Sequence, residues 1–303
     1  MFLSLLIASN PDFVSVEYLL QRKLFLHALQ KIEEIIADDY QGEDAYALRG
    51  RILSIRGRYA DAMVDYDYGL ASKRIWHREG EAYATTLRLY WECDKASEWR
   101  ESIRRFGRLP PGARLRLYAE QIRDLRYCGE IDRAWALQAE MEGVYPRAVL
   151  THFASAELFL DQGDIDSAFR ELGFSQLYFK HAGWKDVAAR IALMEGRYEQ
   201  AFQLMQYIQV QRVPDDAMVR FMLSALLAND PTIVIHKTSF LRWMATENPN
   251  ILYLRMKAFQ SLEMEKEAEE EKQWYEANCN QLCQERVLWS LQRELGFRLE
   301  DHL

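Results

Sequence analysis

Residues 57–66 read GRYADAMVDY and residues 196–205 read GRYEQAFQLM. The two stretches lie 139 positions apart. Each has Gly-Arg-Tyr, an alanine three residues after the tyrosine, and a large residue four further on. Gly-Arg interrupts an apolar periodicity, and the spacings of three and four that follow place Tyr, Ala and the large residue on one helical face. The pattern recurs as LFLHALQKI with Ala28, GEIDRAWALQ with Ala134, GDIDSAFREL with Ala168 and MEKEAEEEK with Ala268. Together with Ala62 and Ala201, the alanines are separated by 34, 72, 34, 33 and 67 residues. The two long intervals are each twice the short one, so a degenerate unit is expected inside each. One is AYATTLRLYWECDKASEWRESIRRF, with Trp99 at the small-residue position; the other is MVRFMLSALLANDPTIVIHKTSFLRWM, broken at Asn229, Asp230 and Pro231.

A fixed period of this length marks a repeat architecture, in which each unit buries its apolar face against its neighbours. Each unit reads as two helices. In the second, Tyr46, Gly50 and Leu53 form one face before the break at Gly57, and Tyr59, Ala62, Tyr66 and Gly69 form the other. Gly50 and Ala62 allow the helices to approach closely. Pro111, Pro146, Pro214 and Pro249 fall near the expected ends of second helices, where proline stops a helix.

These residues resemble the tetratricopeptide repeat: a 34-residue period, Gly-x-Tyr at the turn, Ala and then a large residue in the second helix, and Pro at the exit. The resemblance covers about residues 12–280 and implies an all-α, right-handed α-solenoid of eight hairpins. The units are expected at 12–40, 44–74, 81–110, 116–146, 150–180, 183–213, 216–249 and 250–280, as one domain. Residues 281–297, with Leu282, Val287, Leu288, Leu291 and Leu295 at helical spacing, are expected to cap the last unit.

Composition limits the function. The 303 residues are 49% hydrophobic and 13% aromatic, ample for a core and incompatible with a disordered chain. A net charge of -8 argues against a nucleic-acid binder, which needs cations to displace counterions from phosphates. The start, MFLSLLIASNPDF, lacks the basic residues of a signal peptide, and no uncharged apolar run reaches the roughly 18 residues of a membrane span. Cys93, Cys128, Cys279 and Cys283 are too few and too irregular for a disulfide framework, which fits a reducing, cytoplasmic setting. Cys279 and Cys283 stand four apart, so a disulfide or half a metal site is set against ordinary thiols; no histidine lies near them, and ordinary thiols are the expectation.

No catalytic, metal or cofactor motif is present: no His pair at ligand spacing, no phosphate-binding Gly-rich loop and no nucleophile elbow. The chain is therefore expected to be noncatalytic, without cofactor or metal. The resemblance implies protein binding in a concave groove lined by the first helices. The residue five after each first-helix anchor gives Glu17, Arg51, Arg88, Arg123, Glu157, Arg190, Leu223 and Lys257. Arg51, Arg88, Arg123, Arg190 and Lys257, with Arg126 one turn further and Trp91, form the expected partner-binding set, suited to an acidic peptide or helix. The alternative is a row of arginines solvated or paired with acids such as Asp44 and Glu81. The carboxylate clamp of chaperone-binding tetratricopeptide domains is not expected, because Phe13, Glu17, Leu48, Glu81 and Thr85 occupy the clamp-like positions.

The acidic run at 263–276 reads as a solvated face, with docking of a basic partner or self-association as alternatives. The resulting expectation is a scaffold or adaptor within a larger assembly, of the kind the resemblance to secretion and pilus-assembly repeat proteins implies. A peptide-sensing regulator or a chaperone of a partner protein is the second expectation.

Overall fold

The computed structural model describes residues 12–22, 24–38, 42–70, 77–106, 109–174, 182–206, 216–243 and 249–296. Among these every regular element is a helix. The first hairpins are α1 (Asp12–Gln21) with α2 (Phe25–Ala37), α3 (Glu43–Ile55) with α4 (Tyr59–Gly69), and α5 (His77–Leu89) with α6 (Cys93–Phe106). Then come α7 (Pro111–Tyr127) with α8 (Ile131–Val144), α9 (Val149–Asp161) with α10 (Ile165–Phe174), and α11 (Ala182–Met194) with α12 (Tyr198–Met205). The last are α13 (Asp216–Leu227) with α14 (Pro231–Trp243), and α15 (Pro249–Ser261) with α16 (Glu265–Asn278), followed by a single helix, α17 (Gln281–Leu295). The chain forms two compact units: Met1–Gly107 with Leu241–Thr246, and Arg108–Phe240 with Glu247–Leu303.

The fourth residue of every second helix marks the repeat. It is Ala28, Ala62, Ala96, Ala134, Ala168, Ala201, Val234 and Ala268 in turn, and all eight are buried. In the third hairpin the small residue is therefore Ala96; the expectation placed Trp99 there. Trp99 lies one turn further on, its ring edge-on to Tyr83 at 5.0 Å, with Tyr66 5.2 Å beyond Tyr83. A small side chain is required where two helix backbones cross, since added volume at such a point forces the helices apart. The crossing of α3 and α4 is close: a Cβ built on Gly69 would lie 2.4 Å from the Ala47 amide nitrogen.

The turn inside the hairpin is equally regular. Gly57, Trp91, Gly129, Gly163, Gly196, Asn229 and Glu263 all take positive φ two residues past the end of a first helix. In each case the next amide returns to the last turn of that helix, as Arg58 N does to Leu53 O at 3.0 Å and Asp230 N to Ala225 O at 2.9 Å. This is the Schellman arrangement, which satisfies orphan carbonyls and reverses the chain. The segment 218–245, the least repeat-like in sequence, keeps the turn with Asn229 in place of glycine.

Two expectations are revised. Pro111 and Pro249 open α7 and α15 instead of closing the preceding helices. At the first helical position the missing N–H has no intrahelical partner to lose. Cys279 and Cys283 form a disulfide, with Cα atoms 5.1 Å apart. The helix is interrupted between them, which brings together side chains that separate thiols would not have needed to align, and a bonded pair is at odds with a reducing setting.

Candidate functional site

The helix α17 is positioned by its ends. Asn280 caps it, its Oδ1 accepting from Cys283 N at 3.0 Å, and Gly296 closes it in the left-handed region at φ 71°. Val287, Leu291 and Leu295, spaced by four, are buried. The helix meets α15 of the last hairpin and also reaches past it. It lies against α11 and α15, and the polar residues on the same side reach further first helices of unit 2. Ser290 Oγ donates to Asn250 Oδ1 of α15 at 3.1 Å, and Arg293 Nη1 donates to the Arg126 carbonyl of α7 at 3.3 Å. Arg190 Nη2 of α11 donates to the Arg293 carbonyl at 3.0 Å, and Arg220 Nε of α13 donates to Glu294. One turn of α17 is therefore held by four first helices.

A buried ionic cluster surrounds that turn. Arg126, Arg190, Arg220 and Arg293 meet Glu157 and Asp161 of α9, Asp186 of α11, and Glu294. Arg126 Nη2 lies 2.6 Å from Glu157, Arg190 Nη2 2.6 Å from Asp161, and Arg220 Nη1 2.8 Å from Glu157 and 2.9 Å from Asp186. Burial pushes the Glu157 carboxyl up, but Arg220, Arg126 and Arg190 outweigh it and hold it well below the carboxylate range. Burial likewise opposes ionisation of Asp161, and Arg126, Arg190 and Arg293 bring it down to about 2. Glu294 is lowered in the same way, against burial, by Arg220, Arg190 and Arg293. For Arg190 and Arg220 burial works against the charge and the surrounding carboxylates prevail, so both are raised. Glu157, Asp161 and Glu294 are thereby held ionised at neutral pH, and the cluster's four arginines match its four carboxylates in number.

The groove residues expected from the sequence fall into three groups. Arg51, Arg88, Arg126 and Arg190 are buried, with 5%, 3%, 6% and 0% of their surfaces exposed. Arg51 pairs with Glu17 at 2.7 Å across 34 residues, and Arg190 pairs with Glu157 across 33, so equivalent positions of successive repeats do touch. At these two steps an acid and an arginine of the row pair with one another. Arg123 is more open and pairs with Glu120 at 3.1 Å, and Lys257 lies over the Tyr253 ring at 5.7 Å. Trp91 occupies the left-handed turn position, at φ 66°.

Sequence reasoning missed Arg220, Glu294 and Arg293, and also Arg255, whose guanidinium is buried against Glu271 at 2.8 Å and Thr238 at 2.6 Å. A cavity of ≈530 Å³ adjoins the cluster, lined among others by Leu160, Met194, Trp289 and Arg293. The Arg293 guanidinium lies 5.3 Å from the centres of both the Trp289 and Tyr127 rings. No group of three or more metal-ligating side chains occurs among the described residues, and no described helix is long and apolar enough to cross a membrane.

Hairpin after hairpin, with a buried residue at each crossing and a recurring left-handed turn, defines an all-α array of helical hairpins. Among solved structures the chain is similar to one in the structure of Naa15/Naa10 bound to HypK-THB, at 15% identity and a TM-score of 0.36, over 82% of this chain and 39% of that one. It is also similar to the TPR domain of P58(IPK), at 16% identity and a TM-score of 0.31, over 94% of this chain and 98% of that one. The chain thus spans about two fifths of the length of the first. At these scores the fold rests on the helices themselves. No family model and no curated protein matches the sequence.

Proposed function

We propose that the protein is a noncatalytic scaffold or adaptor that holds another protein on its helical hairpins, within a larger assembly such as a secretion or pilus machine. The observation that carries the reading is the seating of α17. The inner helices of unit 2 hold an α-helix through an apolar stripe and Arg–carboxylate hydrogen bonds, the chemistry by which a groove recognises a partner helix. Support also comes from the ionic cluster: Glu157, Asp161 and Glu294 face arginines that hold them ionised, which suits structure and recognition more than acid–base work. The cations left nearer the surface, Arg123 and Lys257, are the ones that would meet an acidic partner segment.

Affinity capture from the native extract at low and moderate salt, with an Arg123→Glu/Lys257→Glu variant alongside, tests the reading. A partner retained in stoichiometric amount by the parent chain and weakened in the folded variant is the expected result. If no protein is retained in stoichiometric amount at either salt, the scaffold reading fails. A large rise in melting temperature with short peptides alone would favour a peptide-sensing regulator instead.

A further inference from the structure

The helix α17 fills its seat incompletely. Arg190 is fully buried, yet its Nε has no hydrogen-bond partner among the described residues and stands 3.6 Å from the nearest Glu294 oxygen. Arg293 Nε is buried and unpartnered in the same sense. The ≈530 Å³ cavity runs beside the same turn of α17, bounded by Trp289, Gln292, Arg293 and Gly296 from the helix and by Leu160, Met194 and neighbouring residues from the array. Buried donors without acceptors weaken an interface, and the cleft beside this one leaves room for further side chains. The connection from α16 to α17 is only Cys279 and Asn280, and it holds the helix on a short tether.

We infer that α17 is an intramolecular ligand, and that the inner face of unit 2 is the docking surface for a partner's amphipathic α-helix that displaces it. The partner helix carries apolar residues at the spacing of Val287, Leu291 and Leu295, and a carboxylate at the place of Glu294. It differs from α17 in bringing that carboxylate within reach of Arg190 Nε and larger side chains into the cavity. Net charge does not drive the exchange: without α17, Arg126, Arg190 and Arg220 already face Glu157, Asp161 and Asp186. Selection comes from hydrogen-bond geometry and fit. The inference rests on the scaffold reading and adds the identity of the surface and the internal competitor.

Hydrogen exchange on the full chain is the first test. An intramolecular ligand opens without unfolding the array, so the slowest α17 amides should exchange at least about tenfold faster than the slowest α11 amides. Equal rates would make α17 a permanent member of the core and overturn the inference. The second test uses a lock. A Cβ on Gly296 would lie 3.9 Å from the Met194 Cβ, within disulfide range, so oxidised Met194→Cys/Gly296→Cys pins α17 in place. The probe is a fluorescent peptide of residues 281–297 with Cys283→Ser, at about 1 mM to match the effective concentration of a helix on a short tether. Binding to the parent chain that falls at least about tenfold on oxidation of the lock supports exchange at this surface. Binding indifferent to the lock, or no binding to the parent chain, overturns it. Partner capture can fail while α17 exchanges, or succeed while α17 stays shut, so the two readings fail separately.

Discussion

Replacing Asp161 by asparagine removes one carboxylate from a buried cluster while keeping its shape, and the structure fixes what pH should then do. Asp161 accepts from both Arg126 and Arg190, and its carboxyl is lowered from an ordinary 3.8 to about 2. A depressed folded-state value stabilises the fold above the unfolded-state value and loses that contribution as pH falls through the folded one. The window is therefore about pH 4 to pH 2. The full contribution is roughly 2 kcal/mol, of which about 1 kcal/mol is lost between pH 7 and pH 3. Asp161→Asn should destabilise unit 2 by about 3 kcal/mol at pH 7, because two buried guanidiniums lose a charged partner. Over the same pH interval it should lose about 1 kcal/mol less than the parent chain.

The assay is hydrogen exchange of the α11 amides in increasing urea at pH 7 and pH 3, after correction for the intrinsic pH dependence of exchange. The difference between variant and parent cancels every other carboxylate that titrates equally in both. If parent and variant lose the same stability between the two pH values, Asp161 is not held ionised by the cluster and the electrostatic account is wrong.

Gly69→Ala should destabilise unit 1 by about 1–3 kcal/mol, because the new methyl meets the Ala47 backbone, which has no rotamer to yield; a change below about 0.5 kcal/mol in urea unfolding would contradict the close crossing. Glu263→Gly should raise stability by about 0.5–1 kcal/mol by relieving the left-handed conformation of an exposed side chain, and a lower melting temperature would count against the turn geometry. Alkylation of the unreduced chain followed by peptide mapping should find Cys279 and Cys283 joined and unmodified; recovery of both as alkylated thiols would remove the disulfide from the hinge of α17.

The hairpins were legible because their cause is local. A break, a small residue at the crossing and spacings of three and four are all written within each stretch of about 34 residues. Where the turn residue departs from glycine, at Trp91, Asn229 and Glu263, the local code weakens, and Trp99 displaced Ala96 in the reading of the third unit. The arginine row was legible as a row but not as a largely buried one. Glu17 one repeat before Arg51, and Glu157 one repeat before Arg190, were the sign that the row is paired within itself. The place of α17 left no local trace. Its contacts reach back 103 residues to Arg190 and 167 to the Arg126 carbonyl, and an amphipathic stripe reads alike whether it closes an end or lies against inner helices.

That long reach changes how the molecule must be made. A plain repeat array settles hairpin by hairpin as it leaves the ribosome, each unit needing only the one before it. Here the first helices of unit 2 emerge early, and the inner face that carries their ionic cluster stays open until residue 295 is free. The arrival of α17 therefore completes this face of unit 2, and its long-range contacts raise the contact order of a fold otherwise built from neighbours. A nascent chain stalled before α17 would present the same inner face that the finished protein keeps covered.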